Sequence, residues 1–199
     1  PVFPSRFFRH SCAFVNAHAG IKEPKDLIGK RIGVPEYQMT APVWIRGILS
    51  DHYDVPVDSV TYYSGGEETP GRDEKLKLSL PANIKVEPIG PTKTLSQMLL
   101  DGEIDALHTA RMPSSFLNGK GKVQRLFPNF MEVERDYYRK TKIFPIMHTL
   151  VIRRKLYEEN RWIAQSLFKA FEQAQKIAYE DLRETAALKT MMPWLLADM

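Results

Sequence analysis

The chain has 199 residues, with 28 Lys and Arg against 24 Asp and Glu, for a formal charge of +4. Hydrophobic residues make up 43% and charged residues 26%, the balance of a globular protein that can bury a sizeable core. No run of about 18 apolar residues exists, so no membrane partner is expected. The single Cys12 excludes an internal disulfide and a thiolate metal cluster. Basic residues are scattered among acids, so nucleic acid is not an expected partner either.

In chain order, SCAFVNA (11–17) is an apolar run that predicts a buried strand. EPKDLIGK follows as a short helical turn opened by Pro24, and RIGVP (31–35) as a compact strand stopped by Pro35. The polar loop EYQMT (36–40) leads into a helix over 41–53, with Thr40 as the expected N-cap and Val43, Trp44, Ile48 and Leu49 at helical spacing. A strand is expected at Val60 to Tyr63, then a Gly-, Pro- and charge-rich excursion over 65–84, read as a surface insertion. KVEPIG (85–90) predicts a strand and Thr94 a cap for the helix LSQMLLDG, which Gly102 ends. EIDALHTA (103–110) predicts a strand with its tip at His108 to Arg111. After Pro113 come loops with a basic, aromatic stretch, a strand around Met147 to Ile152, and a long helix capped by Asn160 with Trp162, Ile163, Leu167, Phe171 and Ile177 on one face. Strands alternating with helices imply an α/β fold with a parallel or mixed sheet covered on both faces.

Several stretches carry a family resemblance. DLIGKRIGVPEYQMTAPVWIRGIL and LSQMLLDGEIDAL resemble units of the second lobe of two-lobed type II periplasmic-binding-protein-like folds. More specifically, FPSRFFRHS (3–11), GVPEYQMTAPVWIRG (33–47) and FPIMHTLVIRR (144–154) resemble the 4,5-dihydroxyphthalate decarboxylase family. That resemblance implies an α/β chain in which lobe two is complete and lobe one partial. Residues 1–18 would end lobe one and cross over, 19–142 would form lobe two, and 143–199 would cross back and add lobe-one helices. Members of the family are longer, and the chain starts at Pro1 without Met, so it is expected to be part of a longer protein.

The start of the 41–53 helix offers free N–H groups and partial positive charge, a seat for a carboxylate. Tyr37, Gln38 and Thr40 surround it with polar groups, and Arg46 lies one turn further on. Arg6, Arg9 and His10 crowd together, and paired guanidinium groups suit a dicarboxylate. If this segment is extended, Arg6 and His10 share a face and Arg9 takes the other. His108 and Arg111 end a strand, where α/β sheets bind ligands. His148 lies on the expected return strand. The five His show no metal-ligand spacing and no phosphate loop is present, so no metal site is expected.

The resemblance implies loss of CO2 from a dihydroxylated aromatic dicarboxylate, 4,5-dihydroxyphthalate, giving protocatechuate. A base takes the hydroxyl proton para to the leaving carboxylate, and an acid protonates the ring carbon. His is suited to both steps. His10 or His148 is expected to handle the proton, with Arg6, Arg9, the 40–42 helix start and Arg46 orienting the dianion. No organic cofactor is demanded, because the hydroxylated ring is its own electron sink. The expected partner is a small aromatic carboxylate, the expected location cytoplasmic, and a homo-oligomer is left open. The alternative is a solute-binding protein for an aromatic or other small carboxylate, without turnover.

Overall fold

The computed structural model describes residues 1–198. The chain divides into two compact units: Arg6–Met147, and Pro1–Ser5 together with the chain from His148 onward. The first strands and helices alternate as β1 (Ser5–Arg6), β2 (Ala13–Asn16), β3 (Arg31–Val34), α1 (Thr40–Tyr53), β4 (Thr61–Ser64), β5 (Lys85–Pro88), α2 (Leu95–Asp101) and β6 (Ala106–His108). Then come α3 (Ser114–Asn118), β7 (Val123–Arg125), α4 (Phe130–Thr141), β8 (Ile146–His148), α5 (Arg154–Glu159), α6 (Trp162–Leu182) and α7 (Leu195–Asp198). β1 and β8 form a two-stranded sheet. The protein is a mixed α/β fold, as the alternation predicts.

The larger unit is built on a six-stranded sheet in the order β5-β4-β3-β6-β2-β7. β5, β4, β3 and β6 run parallel, while β2 is antiparallel to both β6 and β7. The strand at 13–16, expected in the crossover segment 1–18, therefore lies inside this sheet. Period-2 alternation divides the core. Ala13, Val15, Ile32, Val34, Tyr62 and Ala106 share one cluster with Ile45 and Leu49 of α1. Phe14 and Leu107 face the other way, onto Leu95, Met98 and Leu99 of α2. Gly33 lets α2 and its flanks approach β3: a Cβ there would lie 2.6 Å from Ile104 and 3.0 Å from Leu95. Burial of each such aliphatic side chain contributes roughly 1.5–3 kcal/mol.

The chain leaves β3 towards β4 and β5 on one side, then returns through α2 to β6 on the other. The order therefore reverses between the carboxyl ends of β3 and β6. At such a point the two following connections diverge and leave a crevice.

Four local expectations are corrected. Met39, not Thr40, is the N-cap of α1, and no side chain caps it; Thr40 is the first helical residue. The basic, aromatic stretch after Pro113 forms α4, because Phe130, Val133 and Tyr137 recur at helical spacing under a charged outer face. The return strand ends at His148 rather than Ile152. Asn160 ends α5, so α6 starts after Arg161 without a side-chain cap. By contrast, Thr94 caps α2 through Gln97 N–H and Gly102 closes it in the left-handed region, as expected. No residue of α6 is buried in its unit, and Trp162 and Ile177 of its apolar stripe are exposed. Among the described residues, no helix is long and apolar enough to cross a membrane.

Candidate functional site

The loop 36–40 and the start of α1 follow β3, and His108 to Arg111 follow β6, so the reversal point brings these segments to one edge of the sheet. His108 lies on the same sheet face as Ala106, beneath α1. It is 1% exposed, and neither ring nitrogen has a hydrogen-bond partner. Burial, reinforced by the Arg46 charge, lowers its pKa to about 3. The imidazole is therefore neutral at physiological pH and offers one donor and one acceptor.

Arg46 projects from α1 onto Tyr37, its guanidinium carbon 3.8 Å from the ring centroid, and also donates to the Tyr37 carbonyl. Tyr37 packs edge-on against Tyr62 at 5.1 Å. Tyr37 and Arg46 thus form a pair, a cation held by an aromatic face, and the Arg46 charge is near enough to act on the unpartnered neutral imidazole of His108. A buried polar group without a partner costs about 1–3 kcal/mol, so the arrangement is stable only because the surrounding core supports it. Such groups concentrate where a ligand completes the hydrogen bonding.

The excursion after β4 covers this edge. Glu36 is 4% exposed and pairs with Arg72, while Glu74 accepts the Tyr37 backbone N–H. The segment read as a surface insertion therefore clamps the 36–40 loop. No local motif announces it, because each contact joins residues 36 or 37 positions apart in sequence. Next to it, a cavity of about 410 Å3 is lined by Met39, Glu67, Arg72 and Arg111. Gln38 is half-buried and Thr40 exposed at the same edge.

The other expected residues are placed differently. A 3-10 turn at His10–Cys12 interrupts the segment before β2, so strand alternation does not hold there. Arg9 is buried, donates to the Met147 sulfur at 2.8 and 3.0 Å and to the Ala110 carbonyl at 3.4 Å, and lies over Phe7. Arg6 lies over the Phe144 ring. His10 is enclosed by the edges of Tyr53, Phe127 and Tyr137 at 5.2–6.3 Å, with both ring nitrogens unpartnered. Burial and then His52 lower its pKa to about 4. His148 belongs to the smaller unit, where it is exposed and hydrogen-bonded to the Ser5 hydroxyl. Among the described residues, no group of three or more His, Cys, Asp or Glu is placed to hold a metal.

Comparison with known proteins then decides the family. The chain is 44% identical over 195 residues to the 4,5-dihydroxyphthalate decarboxylase of Comamonas testosteroni, covering 98% of this chain and 59% of that protein. The chain belongs to the 4,5-dihydroxyphthalate decarboxylase family. It is also 47% identical over 139 residues to the protein of the same name from Pseudomonas putida, covering 70% of this chain and 54% of that one. It thus spans a little over half the length of these relatives. No family model matches. Among solved structures, the periplasmic aliphatic sulphonate binding protein SsuA from Escherichia coli is similar with a TM-score of 0.47 and 13% identity, covering 90% of this chain and 48% of that one. The PEYQMTA and IDALHTA segments of this chain are the two that flank the reversal point.

Proposed function

We propose that this chain supplies the carboxylate-binding edge of a decarboxylase acting on 4,5-dihydroxyphthalate, releasing CO2 and leaving protocatechuate. The observation that carries the proposal is the unpartnered neutral His108 beside Arg46 at the reversal of strand order. Arg46 and the free N–H groups at the start of α1 attract a carboxylate. Once a dianion sits there, it offsets the Arg46 charge, and the imidazole pKa rises from its depressed value towards neutrality. His108 is then suited to take the para-hydroxyl proton. Electron density moves through the ring to the carbon bearing the carboxylate, which takes up a proton; the carbon–carbon bond then breaks to release CO2, and the electrons of that bond restore the aromatic ring.

The test is incubation of the protein with 4,5-dihydroxyphthalate, followed by mass spectrometry. The proposal expects protocatechuate to accumulate and the His108→Leu variant to lose that activity. His10→Phe and His148→Ala, tested in parallel, show whether either of those histidines also handles the proton. Ligand recovered bound but unchanged would replace this reading with a solute-binding protein for aromatic carboxylates.

A further inference from the structure

A second set of groups at the same edge is used by neither the cluster around His108 nor the clamp on the 36–40 loop. Past β4 the chain turns so tightly that a Cβ on Gly66 would lie 1.7 Å from the Thr69 carbonyl oxygen. Only glycine fits, and the turn fixes the direction of the next side chain, Glu67. One Glu67 oxygen accepts the Thr109 hydroxyl at 2.5 Å. The other is buried without a partner. Thr109 is itself fully buried and lies just past β6, so the carboxylate is anchored to the end of a core strand.

The neighbouring acids are already engaged. Glu68 accepts both the backbone N–H and the hydroxyl of Ser114, and Glu36 holds Arg72. Arg111 lines the same cavity of about 410 Å3 as Glu67, and its guanidinium makes no ion pair among the described residues. Burial raises the Glu67 carboxyl, which the Thr109 hydroxyl and then Arg111 and Arg72 oppose. The cavity is therefore lined by a carboxylate with spare acceptor capacity and by two cations, Arg72 held by Glu36 and Arg111 without an ion pair among the described residues, beside Met39 and Pro70. A ligand that matches it carries hydroxyl donors and a carboxylate on a flat apolar body.

We propose that Glu67, held by Thr109, is the specificity residue that accepts a ring hydroxyl of a hydroxylated aromatic carboxylate, with Arg111 facing its negative charge. The identity of the ring rests on the decarboxylase reading; the hydroxyl preference does not require turnover. A hydrogen bond to a charged acceptor contributes roughly a 10- to 100-fold preference for the hydroxylated ligand.

Equilibrium dialysis of the protein against 4,5-dihydroxyphthalate and against phthalate, which lacks the hydroxyls, tests this. Mass spectrometry counts ligand and any decarboxylated product separately. The wild type is expected to favour the hydroxylated ligand by at least about ten-fold. Glu67→Gln should lose most of that preference with phthalate affinity unchanged, and Glu68→Gln should keep it. Thr109→Val, which frees the carboxylate, should weaken it and serves as the readout if Glu67→Gln does not fold. A preference that survives Glu67→Gln, an equal loss for both ligands, or no binding of either to the wild type overturns the proposal. Preference without product refutes turnover alone, whereas product with preference intact in Glu67→Gln refutes the subsite alone.

Discussion

The two edges of the six-stranded sheet handle their polar groups in opposite ways. At the amino end of β3, Arg31 meets Asp105 through three hydrogen bonds of 2.8–3.0 Å, one of them from the Arg31 backbone, and also donates to the Gly102 carbonyl. Nearby, Asn16 donates to the Leu99 carbonyl and accepts from the His18 N–H. At the carboxyl end, by contrast, both nitrogens of His108 and one oxygen each of Glu67 and Glu74 are buried without partners. A groove of about 520 Å3 lies at the amino edge, larger than the 410 Å3 cavity at the other. Size therefore does not identify the site. Unmet hydrogen-bonding capacity does, because it carries a cost that only a ligand removes.

The largest expected effect concerns acid. His10 and His108 have folded pKa values of about 4 and about 3 against 6.5. Between pH 6.5 and those values the unfolded chain binds more protons, so stability is complete above 6.5 and falls as pH falls. For His10 alone the loss approaches about 3 kcal/mol by pH 4. Urea midpoints at pH 7 and pH 4.5 measure it, and His10→Phe, whose ring suits the aromatic enclosure, should flatten the slope. An unchanged slope would remove His10 from the account.

Next is the contrast between edges. His108→Leu should lower turnover of 4,5-dihydroxyphthalate by about 100-fold while leaving stability equal or up to about 1 kcal/mol higher, since an unpartnered polar group is replaced by an apolar one. Asp105→Ala should do the reverse. It leaves Arg31 without its partner and costs about 2 kcal/mol in urea unfolding, with ligand affinity unchanged. Both losses appearing in both assays would collapse the distinction. The smallest effect is at the surface of α4. Glu132 and Arg135 form an exposed ion pair, and Glu132→Ala should change stability by no more than about 0.5 kcal/mol.

Much of the sheet is legible in the sequence because its signals are local. Pro35 stops β3, Thr94 and Gly102 bracket α2, and apolar spacing marks α1. The placement of His108 and Arg111 at a strand tip is legible from their neighbours. The position of Glu67 is not, since its partner Thr109 is 42 residues away and its turn sits in a stretch whose composition signals only a loop. The clamp by Arg72 and Glu74 was hidden for the same reason. In α4, the charges of EVERDYYRKT obscure a narrow apolar stripe. His10 reads as a strand residue until the 3-10 turn redirects it.

The account's central claim is that the carboxyl edge of the larger unit's sheet holds the aromatic carboxylate. Amide resonances followed by heteronuclear NMR during titration with 4,5-dihydroxyphthalate test it directly. The account predicts saturable shifts at Tyr37, Gly66, Thr109 and Arg111, with Asn16, Gly102 and Asp105 unmoved. Shifts centred on those last three residues, or none at the carboxyl edge, would contradict it.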